Sequence, residues 1–275
     1  MKHSWAKVLL SVTAAAILIG APLCYWFSGP ITRLQIKGHL GDQSAQMKLG
    51  ALYLNAEETE NGSAIYHEQD FDLAVKWYRM AAKNGDKVAQ YCLATIYDEP
   101  IGWPPGVVEA AKWYRLSAEQ GYAPAQYELG GLYFNGQGVE KNLNQCVYWT
   151  EKAAAQNHPD AEIFLGGLYE LGEGVPKDPA TALAWFKKSA EVGENQAARH
   201  VWEMYLSGHG TAKDEVAAFA WYRLWTGDSK SPSCKFPLER QFTDQETQRS
   251  DALYRELAQR IKFHDDTKPW PLWPE

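Results

Sequence analysis

Apolar positions along the chain recur with a long period. Trp77, Trp113, Trp149, Trp185 and Trp221 stand thirty-six residues apart. Three residues before each lies Ala74, Ala110, Cys146, Ala182 or Ala218, and five after it Ala82, Ala118, Ala154, Ala190 or Thr226. Spacings of three, five and eight fall on or near one helical stripe, which predicts a helix, here called B, around each Trp. Upstream, Ala45, Ala89, Ala125, Ala161 and Ala197 are each followed four residues later by Leu49, Leu93, Leu129, Leu165 or Val201. Four further on come Tyr53, Tyr97, Tyr133, Tyr169 and Tyr205. That i, i+4, i+8 spacing predicts a second helix, A.

Between the two helices the later units carry Gly136-Gln137-Gly138-Val139, Gly172-Glu173-Gly174-Val175 and Gly208-His209-Gly210-Thr211. Glycine there takes the left-handed conformation that ends a helix, and Asp178 and Asp214 suit the start of the next one. Each unit therefore reads as an antiparallel helix pair. A single pair cannot bury a Tyr and a Trp, whereas stacked neighbours can, at about 2 kcal/mol or more per ring. Gly50, Ala94, Gly130 and Gly166 follow the helix A Leu, and small residues at this place are expected to let adjacent A helices approach closely. Trp202 breaks that rule in the last unit and is expected to pack on a C-terminal helix bearing Leu253 and Leu257.

The ends differ from the repeats. From Val8 to Phe27 no residue is charged, Lys2 and Lys7 precede this stretch, and its length suits a helix crossing a hydrocarbon core of about 30 Å. Small residues do not occupy both places that a cleavage site requires, since a cut after Ala21 leaves Ile19 at −3 and one after Gly29 leaves Phe27 there. Ala21, Pro22 and Leu23 before Cys24 do not make a lipidation signal. The segment is expected to stay attached as a single-pass anchor, with Tyr25 and Trp26 at the interface. The basic residues on its two sides give a slight bias toward an inner-membrane protein whose repeat domain faces the periplasm. At the other end Thr243-Asp244-Gln245-Glu246 is a capping box opening a helix with Leu253, Leu257 and Ile261 on one face. The last eleven residues contain Pro271-x-x-Pro274, a possible polyproline docking motif.

Composition narrows the chemistry. With 34 acidic against 27 basic residues the chain carries a net charge of −7, which argues against binding nucleic acid through its phosphates and favours a basic partner surface. The four cysteines Cys24, Cys92, Cys146 and Cys234 form no CxxC, and Cys146 holds a small-residue place that suits burial. None of the seven histidines, His3, His39, His67, His158, His200, His209 and His264, has metal-ligand spacing; His200 and His209 are the nearest in sequence to one another. The GxGV segments follow helices rather than strands, so they are turns and not nucleotide loops. Ser207 lacks the first Gly of a nucleophile elbow. No catalytic residue, metal site or cofactor is expected.

The stretch from Ala161 to Gly193, AEIFLGGLYELGEGVPKDPATALAWFKKSAEVG, closely resembles the consensus of the Sel1-like repeat proteins, relatives of the tetratricopeptide repeats. Five such units span residues 42–229. Departures are an insertion of eight residues between Tyr53 and Trp77, a Pro-rich loop with Pro100, Pro104 and Pro105 in the second unit, and Thr150 where an aromatic usually follows the Trp. The resemblance implies an all-α, right-handed solenoid of five helix pairs with a C-terminal capping helix. Cysteine-rich members of that family staple each unit with two Cys and have been linked to β-lactam binding or hydrolysis; this chain lacks the pairing. Other members in bacterial envelopes act as adaptors or as immunity proteins that occlude a secreted toxin.

The resulting organisation is a membrane anchor or signal sequence at 1–30, a linker at 31–41, the solenoid at 42–229, a helical cap at 230–264 and a Pro/Trp-rich tail at 265–275. Solenoids curve so that their A helices line a concave face. Helix A residues outside the Ala, Leu, Tyr stripe vary between units, and Glu128, Glu170, Arg199, His200 and Glu203 are the candidate partner-binding residues. The function expected is a non-catalytic protein-protein scaffold or adaptor in the cell envelope, with an immunity protein against a toxic effector as the alternative. A cell-wall or β-lactam hydrolase would need a nucleophile and base that the sequence does not display.

Overall fold

The computed structural model describes residues 30–55, 57–60, 63–66, 70–98, 106–226 and 241–261. The segment Val8–Phe27, the prolines of the second unit's loop, the connection at 227–240 and the Pro/Trp-rich tail lie outside these residues. Among the described residues no helix is long and apolar enough to cross a membrane. Contacts divide the chain into two units, 1–96 and 97–275.

In the first unit α1 (Pro30–His39) precedes the first predicted pair, α2 (Gln43–Asn55) and α3 (Phe71–Lys83), and α4 (Lys87–Asp98) follows, its last two residues, Tyr97 and Asp98, belonging to the second unit. Residues 31–41, read from sequence as a linker, are mostly helix α1. Its Ile31 and Leu34 pack on the core formed by Leu49, Ala74 and Trp77. A Cβ at Gly38 would meet the Trp77 ring at 2.8 Å, so α1 lies close on that ring. Gln46 donates its side-chain N–H to the Gly38 carbonyl at 2.8 Å, just as Gln90 donates to Ala82 at 3.1 Å. In hydrogen bonding α1 thus stands where a helix B of a preceding unit would stand.

The insertion before Trp77 departs from an all-helical fold. β1 (Glu57–Glu60) and β2 (Ser63–Tyr66) pair antiparallel with Glu57 opposite Tyr66 and Glu60 opposite Ser63. Alternating β-branched and aromatic residues are few here, which hid the hairpin from a periodicity search.

The second unit continues with α5 (Val107–Glu119), α6 (Ala123–Asn135), α7 (Leu143–Ala154), α8 (Pro159–Leu171), α9 (Pro179–Glu191), α10 (Asn195–Ser207), α11 (Glu215–Thr226) and α12 (Asp244–Arg260). Each packs on the next in sequence, the order of a one-dimensional stack. As expected, Asp178 caps α9 by accepting from Ala180 and Thr181 N–H, and Asp214 accepts from Val216 and Ala217. The Asp178 and Asp214 amides in turn donate to the carbonyls of Tyr169 and Tyr205. Every A helix of the later units is thereby tied to its own B helix at the turn.

The rings divide their work differently from the sequence expectation. The most enclosed ring is often the residue after the Trp: Tyr114 and Phe186 are 2% and 1% exposed, while Trp113 and Trp185 are only half-buried. The small residue of helix A makes room for that side chain in its own unit, not for a neighbouring A helix. A Cβ on Gly50 would meet the Tyr78 ring at 2.6 Å, one on Gly130 the Thr150 hydroxyl at 2.7 Å, and one on Gly166 the Phe186 ring at 2.7 Å. Trp202, in the same place of the last pair, meets Tyr222 edge-on at 5.4 Å and Trp225 at 6.1 Å.

That last pair is covered by α12, whose capping box of Thr243 and Glu246 is formed. Leu253, Leu257 and Ile261 join one apolar cluster with Trp202, Val201 and Leu224, which agrees with the sequence reading of Trp202. Ion pairs fasten the cap, Arg223 to Asp251 and Arg249 to Asp214, both at 2.6 Å.

Both glycines of the GxG turns have separate causes. Gly172 ends α8 in the left-handed region at φ 79°, and Gly174, at φ 75°, lies on the start of α7, where a Cβ would stand 2.9 Å from the Leu143 carbonyl oxygen. Gly138 and Gly210 meet the carbonyls of Val107 and Pro179 in the same register. Gly174→Ala is expected to lower stability by about 2 kcal/mol, combining the left-handed backbone with that clash. Gly167→Ala, whose Cβ meets nothing in the middle of a helix, should be neutral or stabilise by up to about 1 kcal/mol. Thermal or urea unfolding of the two variants checks both signs.

Candidate functional site

Counting from the stripe alanine of each A helix, Ala125, Ala161 or Ala197, positions three, six and nine residues on share a face away from the Ala, Leu, Tyr stripe. In α6 these are Glu128, Gly131 and Phe134, in α8 Phe164, Gly167 and Glu170, and in α10 His200, Glu203 and Leu206. Two depressions open on this register, both within the second unit.

The first, about 360 Å³, is lined by Asp98, Tyr127, Glu128, Gly131, Phe134, Asn135, Gln137 and Phe164, with Leu132 beneath. Its rings lock edge to face: Phe134 lies 5.3 Å from Phe164, and Tyr127 lies 6.2 Å from Phe164. Gly131 has no packing neighbour that a Cβ would touch, so its missing side chain leaves open space rather than admitting a contact.

The second depression, also about 360 Å³, is lined by Glu170, His200, Glu203, Met204, Ser207 and His209. Here the acids already face nitrogen donors of the same chain. Arg199 donates Nε to Glu203 at 3.0 Å, and His209 Nε2 lies 3.9 Å from Glu170. His200 stacks flat on Phe186 at 4.5 Å. Four of the five predicted residues thus line one depression or the other, and Arg199 reaches the second through Glu203.

Electrostatics separate the two. Burial, followed by the nearby carboxylates of Asp98 and Asp160, raises the Glu128 carboxyl to about 7. No ion pair to Glu128 is found among the described residues. Burial also raises the Tyr127 hydroxyl to about 12. His158, stacked on Tyr127 at 5.3 Å, is held below its usual range by burial against the opposing pull of Asp160.

Other titratable groups have structural explanations. Cys92 and Cys146 are buried free thiols, and burial pushes them up to about 12 and about 11, far from a reactive thiolate. Among the described residues no group of three or more His, Cys, Asp or Glu is arranged to hold a metal ion. Glu162 is a buried carboxylate occupying the place of Gln46, Gln90 and Gln126, each of which donates to a carbonyl eight residues earlier. A carboxylate cannot donate, and Lys188 takes over. Its ammonium donates to the corresponding Ala154 carbonyl at 3.2 Å and lies 2.8 Å from Glu162 Oε1.

Sequence reasoning missed the aromatic wall, Tyr127, Phe134 and Phe164, and the glycine at its centre. The signal was available in the thirty-six-residue register: Glu128, Phe164 and His200 hold one repeat position, and Asp98, Phe134 and Glu170 hold another.

Comparison with known proteins follows this geometry. The family described as Sel1 repeat matches residues 43–86, 87–122, 123–158, 159–194 and 195–225, each match holding one A helix and one B helix. No curated protein matches the chain. A Sel1 repeat protein from Oxalobacter formigenes is 29% identical, with 78% of this chain and 84% of that one covered and a TM-score of 0.65. A protective antigen of uropathogenic Escherichia coli with an SLR fold is 28% identical over 73% of this chain, with a TM-score of 0.57, and the match spans 49% of that protein's length. An immunity protein from Pseudomonas aeruginosa is 19% identical, with 85% of this chain and 76% of that one covered and a TM-score of 0.42.

Removing Lys188 takes away the ammonium that lies 2.8 Å from the buried Glu162 carboxylate. Lys188→Ala is expected to cost about 2 kcal/mol at neutral pH, less than a fully enclosed pair because the lysine is partly exposed. Glu162 is raised in the folded state, so folding takes up a proton and stability falls as pH rises from the unfolded carboxyl value, about 4.3, through the raised one. The loss in Lys188→Ala should therefore shrink on acidification. Adding Glu162→Gln should restore stability by renewing the direct bond to Ala154. Urea unfolding across pH for the single and double variants is the check.

Proposed function

We propose, since the chain belongs to the Sel1 repeat family, that it is a non-catalytic scaffold binding a protein partner through the exposed register of its A helices. The observation that carries this reading is the pair of depressions on α6, α8 and α10, placed by the repeat at equivalent positions and lined by side chains that differ from unit to unit. Repeat stacks expose such ordered surfaces by construction, because each unit buries its apolar stripe against the next and leaves one face free to vary. Sel1 repeats fit protein-protein interaction, and nothing in the two depressions pairs a nucleophile with a base.

We also propose a membrane tether in the bacterial envelope, with the repeats on the periplasmic side. Support for it is the uncharged stretch Val8–Phe27, separated from the first residue of α1 only by Ser28 and Gly29. Adaptor and immunity roles use the same surface and differ in the partner held there.

Simultaneous charge reversal of Glu128, Glu170 and Glu203 to Lys tests the scaffold. Helicity and melting are expected to stay near wild type, because such exposed or half-exposed substitutions shift stability by about 0.5 kcal/mol each. Capture of the partner from envelope extracts at low and moderate salt should fall. Unchanged capture at both salt concentrations contradicts the reading.

A further inference from the structure

We propose that the depression beside Glu128 receives an arginine side chain of the partner protein, its guanidinium stacked against Phe134 and Phe164 and hydrogen-bonded to the Glu128 carboxylate. This rests on the scaffold reading and names the chemistry by which one part of that surface recognises its partner.

Four observations converge. The cavity has about 360 Å³ of room, and the Gly131 position, open on every side to a Cβ, keeps it from being filled by the chain itself. Its wall is aromatic, and aromatic faces attract planar cations. A cation already stands near that wall, the Lys141 ammonium lying 5.4 Å from the Phe134 ring centre. Its polar lining is acceptor-rich: Glu128 with the side-chain amides of Asn135 and Gln137 offers oxygens to the five guanidinium N–H donors.

The second depression supplies the contrast. Its Glu203 is paired internally with Arg199, whereas Glu128 has carboxylates for neighbours and no cation paired with it among the described residues. A half-buried carboxylate in negative surroundings gains most from a positive charge brought from outside.

The same chain holds an internal precedent. Where α12 seats on α11, the Arg223 guanidinium lies 4.1 Å from the Tyr254 ring centre while donating to Asp251 at 2.6 Å. Ring, guanidinium and carboxylate there make the arrangement inferred for Phe134, the partner's arginine and Glu128.

Affinity should depend on pH. Ionised Glu128 is the binding form, so binding strengthens as pH rises through about 7. The groups facing it act consistently. Asp98 from α4 and Asp160 from α8 are carboxylates, Tyr127 remains neutral, and His158 is uncharged near neutrality.

The test uses the full chain in detergent and the peptide acetyl-Gly-Arg-Gly-amide, with its citrulline counterpart as the neutral isostere. Saturable chemical-shift changes are expected at the ring protons of Tyr127, Phe134 and Phe164, with a downward shift of the Glu128 titration midpoint. Citrulline peptide, Glu128→Gln and Gly131→Leu should each weaken binding about tenfold or more, as loss of a charged contact or of the space does. Melting of the two variants at or above the wild-type temperature shows that folding is intact. Equal binding of both peptides, or ring shifts untouched by Glu128→Gln, overturns the arginine site. Partner capture separates this from the broader reading: loss on reversing Glu170 and Glu203 with full retention in Glu128→Gln overturns the arginine site alone. Peptide binding with unchanged capture in the triple variant overturns the scaffold reading instead.

Discussion

In the first, third and fourth units the side chain that follows the repeat tryptophan lies where a Cβ on the helix A glycine would stand, and much of the architecture depends on that fit; the second unit keeps the small Ala94 there. Tyr78 over Gly50 and Phe186 over Gly166 let the two helices of a unit close until the ring is sealed. Thr150 over Gly130 shows the same notch filled by a smaller group. In the last pair Trp202 takes the place of the small residue and meets Tyr222 edge-on, and it joins one apolar cluster with Leu253 and Leu257 of α12. With the interior so occupied, A-helix residues three, six and nine places after the stripe alanine lie outside the Ala, Leu, Tyr stripe and differ in type from unit to unit.

Polar bonds set the spacing between successive units. Gln46, Gln90 and Gln126 reach back to carbonyls eight residues earlier, capping the end of the preceding helix from within the next. The pattern also identifies α1 as half of a unit, since its Gly38 carbonyl accepts from Gln46 and its Gln35 donates to the Tyr53 hydroxyl at 2.8 Å. Arg115 and Lys187 bond Tyr133 and Tyr205 from the equivalent place in their helices. Glu162 replaces the glutamine and moves the donation to Lys188, so one carbonyl is satisfied by an ion pair in place of an amide. Such a buried charge costs stability unless its partner stays in place.

Much of this was legible in the sequence because thirty-six-residue periodicity survives without any knowledge of contacts. Helix positions, N-caps at Asp178 and Asp214 and the Thr243 capping box follow from local chemistry. What escaped depended on distance in three dimensions. Gly50, Gly130 and Gly166 read as sites of helix approach, whereas the ring they accommodate belongs to the same unit. Residues 31–41 lack a Trp and an Ala stripe, so α1 read as a linker until its bonds to Gln46 and Tyr53 were in view. Candidate residues Glu128, Glu170, His200 and Glu203 were found by variation between units. The aromatic wall of Tyr127, Phe134 and Phe164 was not, since a ring on an amphipathic helix looks like core unless its neighbours are known.

Coupling between Gly166 and Phe186 tests the central claim most directly. In a double-mutant cycle measured by urea unfolding, Gly166→Ala alone should cost about 1–3 kcal/mol, because its Cβ collides with the ring. In a Phe186→Ala background the same change should become neutral or stabilising, since alanine is the better helix former. A coupling near or above about 2 kcal/mol is the predicted result. Costs that add within about 0.5 kcal/mol would mean that the ring and the notch are independent, and would contradict the account.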